Sequence, residues 1–163
     1  QAKTFIYALI YGAGDAKLGS VVKGSREDGK RLRQHFFDSN PSFKALRDKV
    51  SRASKKGYLK GLDGRKIFIR SEHAALNSLL QGGGAVIMKK GLALFDSLIK
   101  LNTFDAKFVA NIHDEWQMEV REDLSDHIGT LAVDCIKTAG NYYNLRCPMD
   151  GEYKVGRDWS ETH

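Results

Sequence analysis

The chain has little cysteine, little proline and no long apolar run, and each shortage argues against a class of protein. Two cysteines and two prolines occur among 163 residues. Cys135 and Cys147 lack a metal-like spacing, so the sequence predicts reduced thiols in a cytoplasmic protein rather than a disulfide scaffold. No apolar run approaches the ~20 residues that span a bilayer, and no signal-peptide pattern opens the chain. A hydrophobic fraction of 42% predicts a folded chain.

Positive charge is concentrated in the first part of the sequence. Residues 1–70 carry 17 Lys and Arg against 6 Asp and Glu, whereas residues 71–163 carry 9 against 14. A basic half joined to an acidic half indicates that one part contacts a polyanion while the other carries metal ligands or solvated charge. A solvated basic surface explains the same charge distribution, so charge alone leaves nucleic-acid binding open.

Hydrophobic spacing and turn residues predict an α+β chain that changes character near residue 57. Ser25 and Asp28 have the spacing of a capping box, and Asp63-Gly64 is typical of a tight hairpin turn. Three consecutive glycines are expected to interrupt the long helix at residues 82–84, with a kink or a close backbone contact there. The predicted helices span residues 2–11, 15–22, 25–37, 41–55, 71–101 and 122–143, the predicted hairpins span 58–69 and 104–120, and one strand is expected in the tail from residue 146.

The first candidate site is a row of side chains on the first helix. Lys3, Tyr7 and Tyr11 are spaced i, i+4 and i+8, so a helix places them on one face. An ammonium group suits phosphate oxygens, and aromatic rings suit a sugar or a base. An ordinary amphipathic helix would show the same spacing. Phe5, Leu9, Phe36 and Phe37 nearby are either a partner interface or the core of this part of the chain.

The second candidate site is the acidic tip of the later hairpin. Asp114 and Glu115 are adjacent between two strand-like runs, and hard carboxylate oxygens are the ligands that Mg²⁺ prefers. Asp is also common in turns, so a polar hairpin turn without a metal is the alternative.

The third candidate site lies on the long helix. His73, Asn77 and Gln81 recur every four residues and share a face. Side-chain donors at this spacing suit the minor groove, which offers acceptors at every base pair. A solvated polar helix face is the alternative.

The order of these motifs resembles the family A DNA polymerases, and within them the replicative polymerases of podovirus-type bacteriophages. Residues 3–15 resemble the fingers-helix motif B, residues 61–66 with 70–81 resemble a palm segment, and residues 112–115 are similar to motif C. His163 matches the family's C-terminal histidine. The resemblance implies fingers helices over 1–57 and part of an antiparallel palm sheet with the motif-bearing hairpin over 58–163, an incomplete right hand.

The resemblance implies roles in DNA-directed nucleotide transfer. Lys3 would contact the triphosphate and give a proton to the leaving pyrophosphate. Tyr7 would stack near the incoming sugar and imply ready acceptance of dideoxynucleotides, and Tyr11 would lie beside the templating base. Asn77 and Gln81 would probe the minor groove of the new duplex.

The remaining implied roles concern the duplex and the metals. His73 and Arg70 would assist at the minor groove, and His113 would approach the primer terminus. Asp114 would ligate the catalytic metals, two Mg²⁺ ions in the complete enzyme, with Glu115 secondary. All three residues of the hairpin tip are thus implied to be catalytic.

The family also needs an Asp in its motif A, upstream of motif B, and this sequence contains no such segment. We therefore expect the C-terminal part of a larger or split polymerase, inactive until an upstream segment joins it. The expected partners are that segment, primer-template DNA and dNTPs, with no membrane, in the cytoplasm of a phage-infected bacterial host. The alternatives are a non-catalytic DNA-binding module that keeps the polymerase shape and an unrelated basic α+β domain.

Overall fold

The computed structural model describes residues 2–162, so His163 and its predicted match lie outside the described residues. The described residues form helices and two separate two-stranded antiparallel sheets, which confirms the α+β prediction. The chain divides into one compact unit through Gly82 and another from Gly83; a functional division at residue 57 remains a prediction. The elements are α1 (Ala2–Ile10), α2 (Asp15–Val21), α3 (Arg26–Ser39), α4 (Pro41–Ser54), β1 (Tyr58–Lys60), β2 (Lys66–Phe68), α5 (Ala75–Leu101), β3 (Ala106–Ile112), β4 (Glu115–Val120), α6 (Ser125–Tyr142) and α7 (Trp159–Thr162), with short 3₁₀ turns at Glu72–Ala74 and Glu122–Leu124.

The first three helices pack around a small apolar core. Leu9, Leu18 and Phe37 are buried together, with Phe5 and Phe36 partly buried against them. These three phenylalanines and Leu9 therefore belong to the core of the first unit. The predicted capping box is confirmed, because the Asp28 amide donates to Ser25 Oγ at 3.2 Å and the Ser25 amide donates to Asp28 Oδ2 at 2.9 Å.

Helices α2 and α3 approach so closely that glycine is required at their contact. A Cβ atom added at Gly29 would lie 2.0 Å from the Asp15 carbonyl oxygen and 2.5 Å from the Gly19 amide nitrogen. A Cβ atom added at Gly19 would lie 2.0 Å from the Ser25 carbonyl oxygen. All three obstructing atoms belong to the backbone, which cannot rotate away as a side chain can. The two glycines thus fix how the two helices cross.

The β1–β2 hairpin and the start of α5 enclose a second core in the same unit. Val50, Leu59, Ala75 and Leu76 are buried together. Leu59 pairs with Ile67 across the hairpin, and Gly64 takes a φ of +85° in the turn, as the predicted Asp-Gly turn requires.

Helix α5 is continuous through its three glycines, so the predicted interruption is wrong. It runs from Ala75 to Leu101 without a break. The close contact expected there exists only at Gly82, where an added Cβ would lie 3.0 Å from Ile67 Cδ1, a side-chain atom. The length of α5 and the packing along it outweigh the propensity cost of about 1 kcal/mol per glycine.

Gly83→Ala is expected to stabilise the protein. No atom lies within 4 Å of a Cβ at this position, and alanine loses less conformational freedom than glycine on entering a helix. The free energy of unfolding should rise by about 1 kcal/mol, measured by urea denaturation. A decrease would mean that the backbone at this point is not helical.

The second unit packs the β3–β4 hairpin against α5 and α6. Phe95, Ile99, Ile128 and Cys135 lie in its core, and the ring of Phe95 meets those of neighbouring aromatic residues on the hairpin. Both cysteines are free, and burial raises the pKa of the Cys135 thiol. Within residues 2–162, no helix combines the length and the apolar character needed to cross a membrane.

The tail does not contain the expected strand in its described part. It has no regular secondary structure between α6 and the short helix α7. An added Cβ at Gly129 would lie 2.3 Å from the Tyr153 ring, and one at Gly140 would lie 2.5 Å from Met149 Cγ. The tail therefore packs on α6 through side-chain contacts and not through the hydrogen bonds of a sheet. The alternating pattern of a strand cannot predict packing of this kind.

Candidate active site

The lysine and tyrosine row on α1 forms as predicted and is open to solvent. Lys3 is exposed, and its Nζ lies 6.0 Å from the centroid of the Tyr7 ring. Tyr7 is 52% exposed and Tyr11 is 55% exposed, so both aromatic faces remain accessible to a ligand. Tyr11 follows the last residue of α1, and its amide still donates to the Tyr7 carbonyl at 2.9 Å. The row therefore extends one residue beyond the regular helix.

The chain turns a tight corner at Gly12. This corner lies beside residues that come sixty or more positions later in the sequence. Gly12 has a φ of +78°, and an added Cβ would lie 2.6 Å from the His73 carbonyl oxygen. Gln81 Nε2 donates to the Tyr11 hydroxyl at 3.1 Å. Tyr11, His73 and Gln81 are thus neighbours in the first unit, although different sequence motifs predicted them.

The other two residues predicted to contact DNA differ in their surroundings. Arg70 is exposed just after β2. Asn77 is half-buried on α5, and its Oδ1 is shielded from solvent without a hydrogen-bond partner among the described residues. A shielded acceptor of this kind leaves hydrogen-bonding capacity that a bound ligand or a water can satisfy.

The β3–β4 hairpin presents the acidic tip through a two-residue connection. Ile112 pairs with Glu115, which leaves His113 and Asp114 in the turn, and both side chains are exposed. His113 has a φ of +53°, a left-handed conformation that costs a residue other than glycine about 1 kcal/mol. Glu115 is half-buried and accepts a hydrogen bond from Gln117 Nε2.

The donor atoms at this tip suit Mg²⁺ in kind but are few. Asp114 and Glu115 offer adjacent hard oxygens, which Mg²⁺ prefers together with waters and substrate phosphates. No group of three or more His, Cys, Asp or Glu side chains able to hold a metal forms within residues 2–162. The tip can therefore supply two protein ligands, and a complete site needs others.

A cavity of about 540 Å³ in the second unit adjoins the acidic tip. Its lining includes Asp114, Glu115, Gln117 and Thr162, together with apolar side chains of α6 and the tail. Sequence reasoning overlooked Gln117 and Thr162. The available signal for Gln117 was its position two residues after Glu115 on a strand, which places both on one face.

A comparison with protein families identifies the chain. The model of "DNA polymerase family A" matches residues 1–161. The chain belongs to this family. The prediction made from its ordered motifs is confirmed, and an unrelated basic α+β domain is excluded.

Individual relatives agree with this assignment. The DNA-directed DNA polymerase of Escherichia phage Phieco32 is 40% identical over 170 residues, covering all of this chain and 28% of the relative. That of Escherichia phage T7 is 35% identical over 185 residues, covering all of this chain and 26% of the relative. The chain thus spans about a quarter of the length of these phage relatives.

A solved structure supports the fold as well as the family. The POL domain of Pol1 from M. smegmatis, in complex with DNA primer-template and dNTP, superposes with a TM-score of 0.81 at 27% identity. The match covers 91% of this chain and 28% of that one. The fold is therefore that of part of a polymerase domain, in agreement with the family match.

Proposed function

We propose that this chain is the C-terminal fingers-and-palm part of a template-directed DNA polymerase. In this function a primer 3′-hydroxyl attacks the α-phosphorus of a dNTP and pyrophosphate leaves. The single observation that carries the proposal is the family match over residues 1–161. Because its polymerase relatives include phage enzymes, we propose that it acts in the cytoplasm of an infected bacterium.

The first unit would bind the nucleotide and the template. Lys3 is exposed beside the Tyr7 ring, so a triphosphate and its sugar could meet both side chains at once. Lys3 would offset the charge of the departing pyrophosphate and give it a proton. Tyr7 would stack near the sugar of the incoming nucleotide. A tyrosine at this position would imply ready acceptance of dideoxynucleotides, as the resemblance to the family suggests. Tyr11 would lie beside the templating base.

The corner at Gly12 supports a shared role for the neighbouring side chains. Gln81 donates to the Tyr11 hydroxyl, so the residue assigned to the template and one assigned to the minor groove are held together. Asn77 and Gln81 would contact minor-groove acceptors, which are present at every base pair and permit binding without sequence preference. His73 and the exposed Arg70 would assist along the duplex.

The hairpin tip would serve the reacting end of the primer. Asp114 and Glu115 would hold divalent cations, and His113 would approach the primer terminus. Two bound Mg²⁺ ions would stabilise the attacking and leaving oxygens of the displacement. The contribution of the protein itself is to position these groups and to offset the developing charge.

Primer extension tests the proposal. The 163-residue chain alone is expected to incorporate no nucleotide, because its described residues bring together no more than two candidate ligands at the tip. Adding an upstream polymerase segment with a motif A Asp should restore template-dependent incorporation. Steady synthesis by the chain alone would contradict the predicted dependence on an upstream segment. A properly folded mixture without synthesis would contradict the polymerase function.

The scarcity of ligands also favours a second candidate, a non-catalytic module that only binds DNA. This module would bind primer-template DNA equally well with or without Asp114. The two candidates thus predict different roles for the acidic tip. DNA synthesis depends on the tip if the chain is part of a polymerase, whereas no measurable activity depends on it if the chain only binds DNA.

A further inference from the structure

A side-chain amide links the acidic hairpin to the end of the tail. Gln117 Nε2 donates to Glu115 Oε1, and Thr162 Oγ1 lies 3.4 Å from Gln117 Oε1. The amide thus has its donor side toward the carboxylate and its acceptor side toward α7. All three residues are half-buried and line the cavity beside the tip.

The two contacts of this amide differ in strength. An amide that donates to a carboxylate makes a charge-assisted bond, and partial burial strengthens it because less water competes. The Thr162 contact is long for an O–H···O bond, and the same hydroxyl lies 3.3 Å from the Trp159 carbonyl oxygen. The Gln117–Glu115 contact therefore dominates, and Thr162 is a secondary support.

We propose that Gln117 is a positioning residue that fixes the Glu115 carboxylate for cation binding. This inference rests on the proposed function. Carboxylates that bind metals commonly accept a hydrogen bond from a neighbouring residue that does not contact the metal itself. Removing that hydrogen-bond donor weakens metal binding. Without the Gln117 amide, the Glu115 carboxylate would lose one of the contacts that restrict its rotamers, so binding a cation would cost more side-chain entropy.

A titration with Mn²⁺ tests this role without requiring synthesis. Bound Mn²⁺ broadens the NMR signals of nearby amides, here those of β3 and β4 in the 163-residue chain. Gln117→Leu is expected to raise the half-saturating Mn²⁺ concentration about tenfold. Gln34→Leu is the matched control, because Gln34 Nε2 donates to Asp38 Oδ1 at 2.8 Å on α3 in the first unit. This control should titrate like the wild type.

Asp114→Ala separates failure of this inference from failure of the proposed function. If broadening of the hairpin signals is unchanged by Asp114→Ala, the proposed metal site is wrong. If Asp114→Ala removes the broadening while Gln117→Leu titrates like the wild type, the positioning role is overturned. A loss of near-ultraviolet circular dichroism in Gln117→Leu would mean that this variant is not properly folded. Gln117→Met, whose side chain is unbranched and of similar length, then replaces it in the titration. The same tenfold rise in the half-saturating Mn²⁺ concentration is expected, and an unchanged value would overturn the positioning role.

Synthesis provides a second, independent readout in the reconstituted enzyme. At limiting Mg²⁺, Gln117→Met should lower kcat while leaving the KM for dNTP unchanged, and saturating Mg²⁺ should restore kcat. A purely structural role would predict a loss that no Mg²⁺ concentration recovers, and that result would also overturn the proposal.

Discussion

Asp114→Ala is expected to abolish nucleotide incorporation by the chain when it is combined with an upstream polymerase segment that carries a motif A Asp. The substitution removes the principal proposed metal ligand at the tip, and the loss should be at least about a thousandfold in kcat. Stability should change by less than about 0.5 kcal/mol, because Asp114 is exposed in a turn. Primer extension gives the rate, and a fluorescence titration with primer-template gives the affinity for DNA.

Glu119→Gln is the matched control for this change. Glu119 is an exposed carboxylate on β4 of the same hairpin, and it pairs with Lys107 away from the tip. It should leave both synthesis and DNA affinity close to those of the wild type. Unchanged synthesis in Asp114→Ala would contradict the assignment of the tip and favour the DNA-binding module.

Gly29→Ala is expected to cause the largest loss of stability. The added methyl would meet the backbone of Asp15 at 2.0 Å and of Gly19 at 2.5 Å, so α2 and α3 would have to move apart. Overpacking against atoms that cannot rotate should cost about 3 kcal/mol. That is a large part of the 5–15 kcal/mol typical of a domain. Urea denaturation followed by circular dichroism measures the difference.

The same substitution at Gly83 provides a control with the opposite expected sign. It adds an identical methyl to a helical glycine with no atom within 4 Å. If Gly29→Ala and Gly83→Ala changed the urea midpoint equally, helix propensity alone would explain both. The close crossing of α2 and α3 would then not exist in solution.

Local signals predicted most of the elements because short-range chemistry determines them. The capping box at Ser25 and the turn at Gly64 each depend on a few adjacent residues, and both form as expected. The glycines of α5 misled because propensity ignores the packing that sustains a 27-residue helix. The strand expected in the tail was wrong for a related reason. The Tyr153 ring packs directly on Gly129, and such a contact between distant residues leaves no periodic pattern in the sequence.

The candidate site was predictable to the extent that its residues share one helix or one turn. The spacing of Lys3 and Tyr7 already placed them on one face, and the structure agrees. The meeting of Tyr11 with Gln81 depends on how the chain folds back across seventy positions, which no local pattern contains. Gln117 was overlooked because its one signal, a spacing of two residues from Glu115 on a strand, is shared by every alternate residue of any strand.

Because the backbone at His113 is left-handed, stability and the proposed function favour different residues at this position. Folding alone would prefer glycine there, since glycine takes this conformation at no steric cost. The proposed contact with the primer needs an imidazole. Engineering for heat tolerance should therefore leave this position alone, because the easiest gain in thermal robustness would come at the expense of turnover.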